Sequence, residues 1–203
     1  MADNESAGKK GCMGWLLLGL FAVAALIAWT WLGHGPIHEG IERAHEIEGV
    51  AQAQAIVKAM HAYAADHGGA FPDGSTSTEI FQKLLDGHYV ADPKTFFVLT
   101  GGKFPADSSQ LEARNVCFDV TAGATPKSPD DLPLVFTTGF DVSYKPGVNA
   151  THATDIVGIL HGIAVGYNGG ATHFRRAADD GTVPNVVPTE FNAKGETYRQ
   201  LEP

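Results

Sequence analysis

The most continuous apolar run of the chain lies close to its N-terminus. Residues 14–32 read GWLLLGLFAVAALIAWTWL and include no charged side chain. As a helix, the stretch from Trp15 to Leu32 would extend about 27 Å, which is close to the thickness of a bilayer core. Trp15, Trp29 and Trp31 lie at the ends of the run, as aromatic residues do where a span meets the lipid headgroups. The pattern predicts a transmembrane helix over residues 14–32.

The charges that flank this run predict its orientation. Lys9 and Lys10 precede it, and the next basic residue is Arg43. By the positive-inside rule, residues 1–13 form a cytoplasmic tail and residues 33–203 lie across the membrane. The prediction is a single-pass protein of the bacterial inner (cytoplasmic) membrane with a periplasmic or extracellular domain. A cleaved signal peptide is the alternative interpretation, but its apolar region is shorter than this one.

Residues 33–67 continue the helical pattern beyond the apolar run. Their apolar positions recur mostly three or four residues apart, which is the period of an α-helix. These positions are Ile37, Ile41, Ala44, Ile47, Ala51, Ile56, Met60 and Tyr63. Pro36 predicts a bend and His67-Gly68-Gly69 predicts a helix end. We therefore expect residues 33–67 to be an exported continuation of one long helix.

Residues 68–178 have the pattern of a small α+β domain. A capping sequence at Thr76 predicts a short helix over Glu79–Asp86. The strand candidates are Asn115–Val120, Leu134–Thr138, Gly158–Tyr167 and Ala171–Arg175. Asn168-Gly169 separates the last two and is a strong hairpin signal. The predicted fold class is α+β: a long N-terminal helix, transmembrane and then exported, packed on a small antiparallel β-sheet. Residues 179–203 are expected to form a loose C-terminal extension.

The composition restricts the partners that this chain can bind. Its 203 residues include 14 Lys and Arg against 23 Asp and Glu, for a formal net charge of −9. An acidic chain is a poor match for nucleic acid, so we expect no nucleic-acid partner. Two cysteines, Cys12 and Cys117, exclude a disulfide-rich scaffold. Cys117 lies in a strand-like run and is interpreted as a buried thiol, with a reactive or intermolecular cysteine as the alternative.

The chain lacks the common sequence motifs of catalytic sites. There are nine histidines but no HExxH pair, and neither a glycine-rich phosphate loop nor a G-x-S-x-G elbow is present. We predict no catalytic residue, no cofactor and no enzyme. The apolar helix predicts partners instead: other membrane proteins, or copies of the same chain.

The order of these segments resembles the type IV pilin and type II secretion pseudopilin superfamily. Residues 51–72, AQAQAIVKAMHAYAADHGGAFP, resemble the end of the long pseudopilin helix and its exit turn. Residues 162–175, GIAVGYNGGATHFR, are similar to the late hairpin. The resemblance implies a pilin-like structural subunit that assembles through its apolar helix into a pseudopilus, a filament or a secretion apparatus. It also implies weak calcium candidates, namely Asp130, Asp131 and Asp141.

The chain departs from the prepilin pattern at the mature N-terminus. Gly11-Cys12 and Gly14-Trp15 are the two possible processing junctions. The fifth residue after these junctions is Leu16 or Gly19, where prepilins carry an acidic residue. This departure leaves a second interpretation open, an unprocessed accessory subunit of another large membrane complex. A third is a membrane-anchored enzyme or solute-binding module.

Overall fold

The computed structural model describes residues 8–152 and 161–203. The chain divides into two compact units, Met1–Arg43 and Ala44–Pro203, which we describe separately. Helix α1 spans Gly8–Asp66 and so contributes residues to both units.

The part of the first unit that the structure describes does not provide the expected membrane span. Within the described ranges, no helix combines the length and the apolar character that crossing a membrane requires. The predictions of a transmembrane helix over residues 14–32 and of a single-pass inner-membrane location are therefore wrong.

The second unit is built around a five-stranded antiparallel sheet. Its strand order is β6-β5-β2-β1-β8. The strands are β1 (Phe118–Ala122), β2 (Pro133–Thr137), β5 (Gly162–Tyr167), β6 (Thr172–Arg176) and β8 (Arg199–Leu201). A second antiparallel sheet has the order β3-β4-β7. Its strands are β3 (Phe140–Asp141), β4 (Ala150–His152) and β7 (Thr182–Val183).

The predicted fold was one small sheet packed on a transmembrane helix. This prediction is wrong on both points, because the domain has two sheets and no described helix could span a membrane. Residues 179–203 are not a loose extension, because they supply β7 and β8 and bury Val183, Val187 and Phe191. Strands of two or three residues show too few alternating positions to be recognised from their pattern. The β5–β6 hairpin, by contrast, forms around Asn168-Gly169 as predicted.

Two apolar clusters cover the two faces of the five-stranded sheet. The first joins the C-terminal part of α1 and helix α2 (Ser77–Asp86) to β1 and β2. Its largest fully buried side chains include Ile56, Met60, Phe81 and Phe118. The second cluster joins the two sheets through residues such as Phe136, Ile163, Val183 and Val187. The second unit is therefore layered as helices, five-stranded sheet and three-stranded sheet.

Helix α2 begins close to the position that the capping sequence predicts. The Thr76 hydroxyl accepts a hydrogen bond from the Glu79 backbone N–H at 3.2 Å. The Glu79 carboxylate accepts from the backbone N–H of Ser75 at 2.7 Å and from its hydroxyl at 2.8 Å. The first bond satisfies an N–H group that a helix start leaves without an intrahelical partner, and the other two hold the residue before the cap against the helix.

Helix α1 approaches β5 closely because residue 166 is glycine. A Cβ atom added there would lie 2.6 Å from Val57 Cγ2 and 3.3 Å from the Ala53 carbonyl oxygen. The helix backbone can therefore lie against the sheet only where the strand has no side chain. This contact fixes the distance between the helical layer and the sheet.

We expect Gly166→Ala to destabilise the second unit by about 1–3 kcal/mol, because the new methyl group overpacks the Val57 contact. Thermal and urea unfolding would measure the loss. Gly40→Ala is the matched control, since nothing lies within 4 Å of the added Cβ there. Adding Val57→Ala should make the combined loss smaller than the sum of the two single losses. Additive losses would show that the contact between Gly166 and Val57 does not limit how closely the helix approaches the sheet.

Candidate functional site

The first unit presents a run of exposed apolar side chains. On α1, the exposed fractions are 67% for Leu20, 79% for Phe21, 55% for Val23 and 78% for Trp29. Large apolar side chains that are grouped and exposed usually mark a surface that another molecule covers. We call residues 19–29 the apolar segment. It is the strongest candidate for an interaction surface among the residues that the structure describes.

The other predicted residues of this region are not brought together in the described structure. The side chains of Lys9, Lys10, Trp15 and Trp31 lie outside the described residues. The same holds for both possible processing junctions, Gly11-Cys12 and Gly14-Trp15. Trp29 alone of the predicted anchor residues has a described side chain. The processing assignments therefore stay predictions, whereas the anchor assignment presupposes a membrane span that the described helices do not support.

The three calcium candidates lie in two different parts of the second unit. Asp130 and Asp131 precede β2, where the Asp130 backbone carbonyl accepts from the Gly169 N–H at 2.8 Å. Asp141 is exposed at the end of β3, in the other sheet. Over residues 8–152 and 161–203, no three His, Cys, Asp or Glu side chains form a group suited to a metal ion.

A buried carboxylate lies between the two sheets of the second unit. Asp119 on β1 is fully buried, and its Oδ2 accepts a hydrogen bond from Gln200 Nε2 at 2.7 Å. The same Gln200 amide donates to the Phe140 carbonyl oxygen at 2.8 Å and accepts from the Val142 N–H at 3.0 Å. One side chain of β8 therefore connects β1 to β3 and to the residue that follows it. We call Asp119 and Gln200 the inter-sheet pair.

Burial controls the ionisation of this carboxylate. Desolvation raises the pKa of Asp119 to about 7, although the Gln200 and Thr138 side chains favour the charged form. Glu202 raises the pKa further, and Lys103 opposes it weakly. Asp119 Oδ1 has no hydrogen-bond partner of good geometry in the described structure. A buried, incompletely paired carboxylate is costly when charged, so the neutral form is favoured up to neutral pH.

Two further hydroxyl groups extend this polar layer. Thr121, also on β1, donates to the Pro133 carbonyl oxygen and lies 2.8 Å from the Tyr144 hydroxyl. Burial raises the pKa of Tyr144 far above its ordinary value. Asp119 and Thr121 are two residues apart and so share one face of β1. Sequence reasoning missed this layer because a polar residue alternating with apolar ones normally indicates a solvent-facing position.

We expect Asp119 to make the folded state less stable as pH rises. An unfolded aspartate titrates at about 3.9, below the folded value of about 7. Between these values the folded state holds a proton that the unfolded state has lost. The free energy of unfolding should therefore fall by roughly 1.4 kcal/mol per pH unit from this group alone.

Urea unfolding between pH 4.5 and pH 8 would measure this slope, with pH values chosen about one unit apart. Asp119→Asn should flatten the profile and be more stable than the native chain above pH 7, since the Asn carbonyl can still accept from Gln200. The control Asp141→Asn, at an exposed position, should keep the native slope. An unchanged slope in Asp119→Asn would refute the assignment.

Cys117 is a buried thiol, as predicted. Its side chain is fully buried and donates to the Val98 carbonyl oxygen at 3.3 Å. Desolvation raises the pKa of Cys117 to about 11. Because the thiolate is the reactive form, the folded domain should protect this cysteine from alkylation.

In a Cys12→Ser background, we expect Cys117 to react with a thiol reagent only when the domain unfolds. Mass spectrometry after brief labelling, with and without concentrated guanidinium, would measure the modified fraction. Rapid modification of the folded chain would show that Cys117 is accessible and would revive the reactive-cysteine alternative.

Comparisons with known proteins identify no family for this chain. No family model, no curated protein and no solved structure matches it. The resemblance of residues 51–72 and 162–175 to pseudopilins therefore stays a prediction. Function has to be inferred from the geometry of the described residues.

Proposed function

We propose that this protein is a non-enzymatic structural subunit that assembles with copies of itself through the apolar segment of α1. The observation that carries the proposal is the exposure of Leu20, Phe21, Val23 and Trp29. The burial of apolar surface contributes about 25 cal/mol per Å². Covering four large side chains in every copy is therefore a substantial driving force for association.

The second unit does not need the apolar segment to complete its own core. Both apolar clusters are formed by residues between Ala53 and Leu201. None of the side chains that the structure describes within residues 1–43 is a member of either cluster. The apolar segment is thus free to serve contacts outside the chain, while residues 44–203 fold around their own interior.

The distribution of the exposed side chains favours several neighbours over one. At about 100° per residue, positions 20, 21, 23 and 29 spread around the whole circumference of the helix. A helix that is apolar on all sides is stable when it is surrounded rather than packed along one stripe. Copies of the same segment can surround one another in a bundle. We therefore propose an assembly of more than two chains.

Charge and the pseudopilin resemblance bear on the same proposal. With a formal net charge of −9, neighbouring copies repel one another at low salt. Salt screens this repulsion and leaves apolar contacts intact, so assembly should strengthen as salt is added.

Assembly through an apolar N-terminal helix is also what the resemblance of residues 51–72 implies.

We expect the full chain to form a discrete oligomer of more than two copies, because its apolar segment needs neighbours. Light scattering after size-exclusion chromatography would give the mass. Residues 44–203 alone, and the full chain with Leu20→Glu and Phe21→Glu, should be monomeric. Their thermal unfolding should match the native domain, since its core lacks these residues.

The control is Val148→Glu, which places the same charge at an exposed apolar residue of the second unit. It should assemble like the native chain. A monomeric full chain, a continuous distribution of masses, or an oligomer of residues 44–203 would each contradict the proposal.

A further inference from the structure

A cleft opens on the helical side of the five-stranded sheet, at the end where β1 and β8 pair. Its volume is about 270 Å³. The turn Phe71–Gly74 and the start of α2 form one wall, and the ends of β1 and β8 form the other. We call it the β1–β8 cleft. It contains none of the residues of the apolar segment.

The cleft is lined by both polar and apolar groups. Met60, Ile80, Val120 and Leu201 lie beneath it, and Phe71 and Ala122 are the partly exposed apolar side chains of its walls. Phe71 is half-buried, whereas Met60, Ile80, Val120 and Leu201 are buried and belong to the first apolar cluster. The floor is therefore fixed by the packing of the domain itself.

The charged residues of the cleft differ in whether they are paired. The Asp73 carboxylate binds the Lys83 ammonium group, which holds the pKa of Asp73 below its ordinary value. The Arg199 side chain is exposed and makes no hydrogen bond or ion pair to any described residue. Arg114, by comparison, pairs with Glu112 at 2.9 Å. Arg199 thus places a free guanidinium at the edge of the cleft.

The inter-sheet pair determines which way β8 presents this arginine. Along a strand, successive side chains point to opposite faces. Gln200 faces the three-stranded sheet, where it is held by Asp119, Phe140 and Val142. Its neighbours Arg199 and Leu201 therefore face the cleft. The hydrogen bonds of Gln200 therefore determine the face of β8 on which Arg199 lies.

We propose that the β1–β8 cleft binds a carboxylate carried on a short apolar group. Arg199 would receive the carboxylate through paired N–H donors, a geometry that guanidinium matches well. Phe71 and Ala122, which line the cleft and are only partly buried, would contact the apolar part. The cleft is smaller than pockets for drug-sized ligands, which span roughly 300–1,000 Å³, so the group holds only a few carbon atoms. This chemistry is shared by a free short-chain acid and by the C-terminal residue of a peptide.

Calorimetric titration of the full chain tests this proposal with two matched ligand pairs. The first pair is hexanoate and hexanamide; the second is acetyl-Ala-Ala-Leu with a free carboxylate and the same peptide as its amide. We expect at least one acid to bind at least about tenfold more tightly than its amide, the effect of a charge-assisted contact. Binding of hexanoate would identify a free acid as the source, and binding of the peptide alone would identify a chain terminus.

Arg199→Gln should remove the preference for the acid while leaving the unfolding temperature close to native, because Arg199 has no partner to lose. Ala122→Leu should block acid and amide alike, since Ala122 lines the cleft. The matched control Arg114→Gln should bind like the native chain.

The proposal is overturned if neither acid binds up to about 10 mM, if acid and amide bind equally, or if Arg199→Gln keeps the preference. The result of this binding experiment does not depend on the assembly proposal, because the two proposals concern different residues and are tested by different measurements.

Discussion

Burial of both faces of the five-stranded sheet is the constraint on which the second unit depends. Helices α1 and α2 cover one face, and the three-stranded sheet with residues 184–198 covers the other. Gly166 sets how closely the helical layer can approach, because any side chain there would meet Val57. A sheet covered on one face only would leave Phe136, Ile163 and Val165 in water. The second sheet is therefore as necessary to the core as the helices are.

The double burial also explains the polar layer at its centre. A carboxylate on β1 would face solvent in a sheet with one covered face. Here the three-stranded sheet encloses Asp119, and Gln200 becomes its hydrogen-bond donor. The same amide holds β8 against β3. Because Arg199 is the neighbour of Gln200 on β8, this buried contact also determines that Arg199 faces the cleft on the opposite side of the sheet. Position, not residue type, gives Asp119 its raised pKa.

Local signals in the sequence predicted the elements that are long or that have distinctive turns. Helix α2 and the β5–β6 hairpin follow from a cap at Thr76 and from Asn168-Gly169. Strands β3, β4, β7 and β8 have two or three residues each, so their pairing depends on distant partners that no local pattern reveals. The apolar composition of residues 14–32 suggested a membrane span that the described helices do not support.

The candidate sites were predictable to different degrees. The apolar segment is visible in the sequence, although its exposure is a property of the structure. Asp119 was hidden because its burial needs the second sheet, and Arg199 was hidden in a tail that had no recognisable pattern. The calcium candidates do not form one group, since Asp130 and Asp131 precede a strand of the five-stranded sheet and Asp141 ends a strand of the three-stranded sheet. The roles of Asp119 and Arg199 could be recognised only from the fold, which shows the groups that surround each side chain.

The proposed assembly depends on contact between the apolar segments of different copies. Disulfide cross-linking tests this contact directly, in a Cys12→Ser background that carries Phe21→Cys. Covalent dimers should form rapidly at position 21, and none should form when Val148→Cys is used instead. The buried thiol of Cys117 should not take part. Absence of cross-links at position 21, or equal cross-linking at both positions, would contradict the claim that this protein assembles through α1.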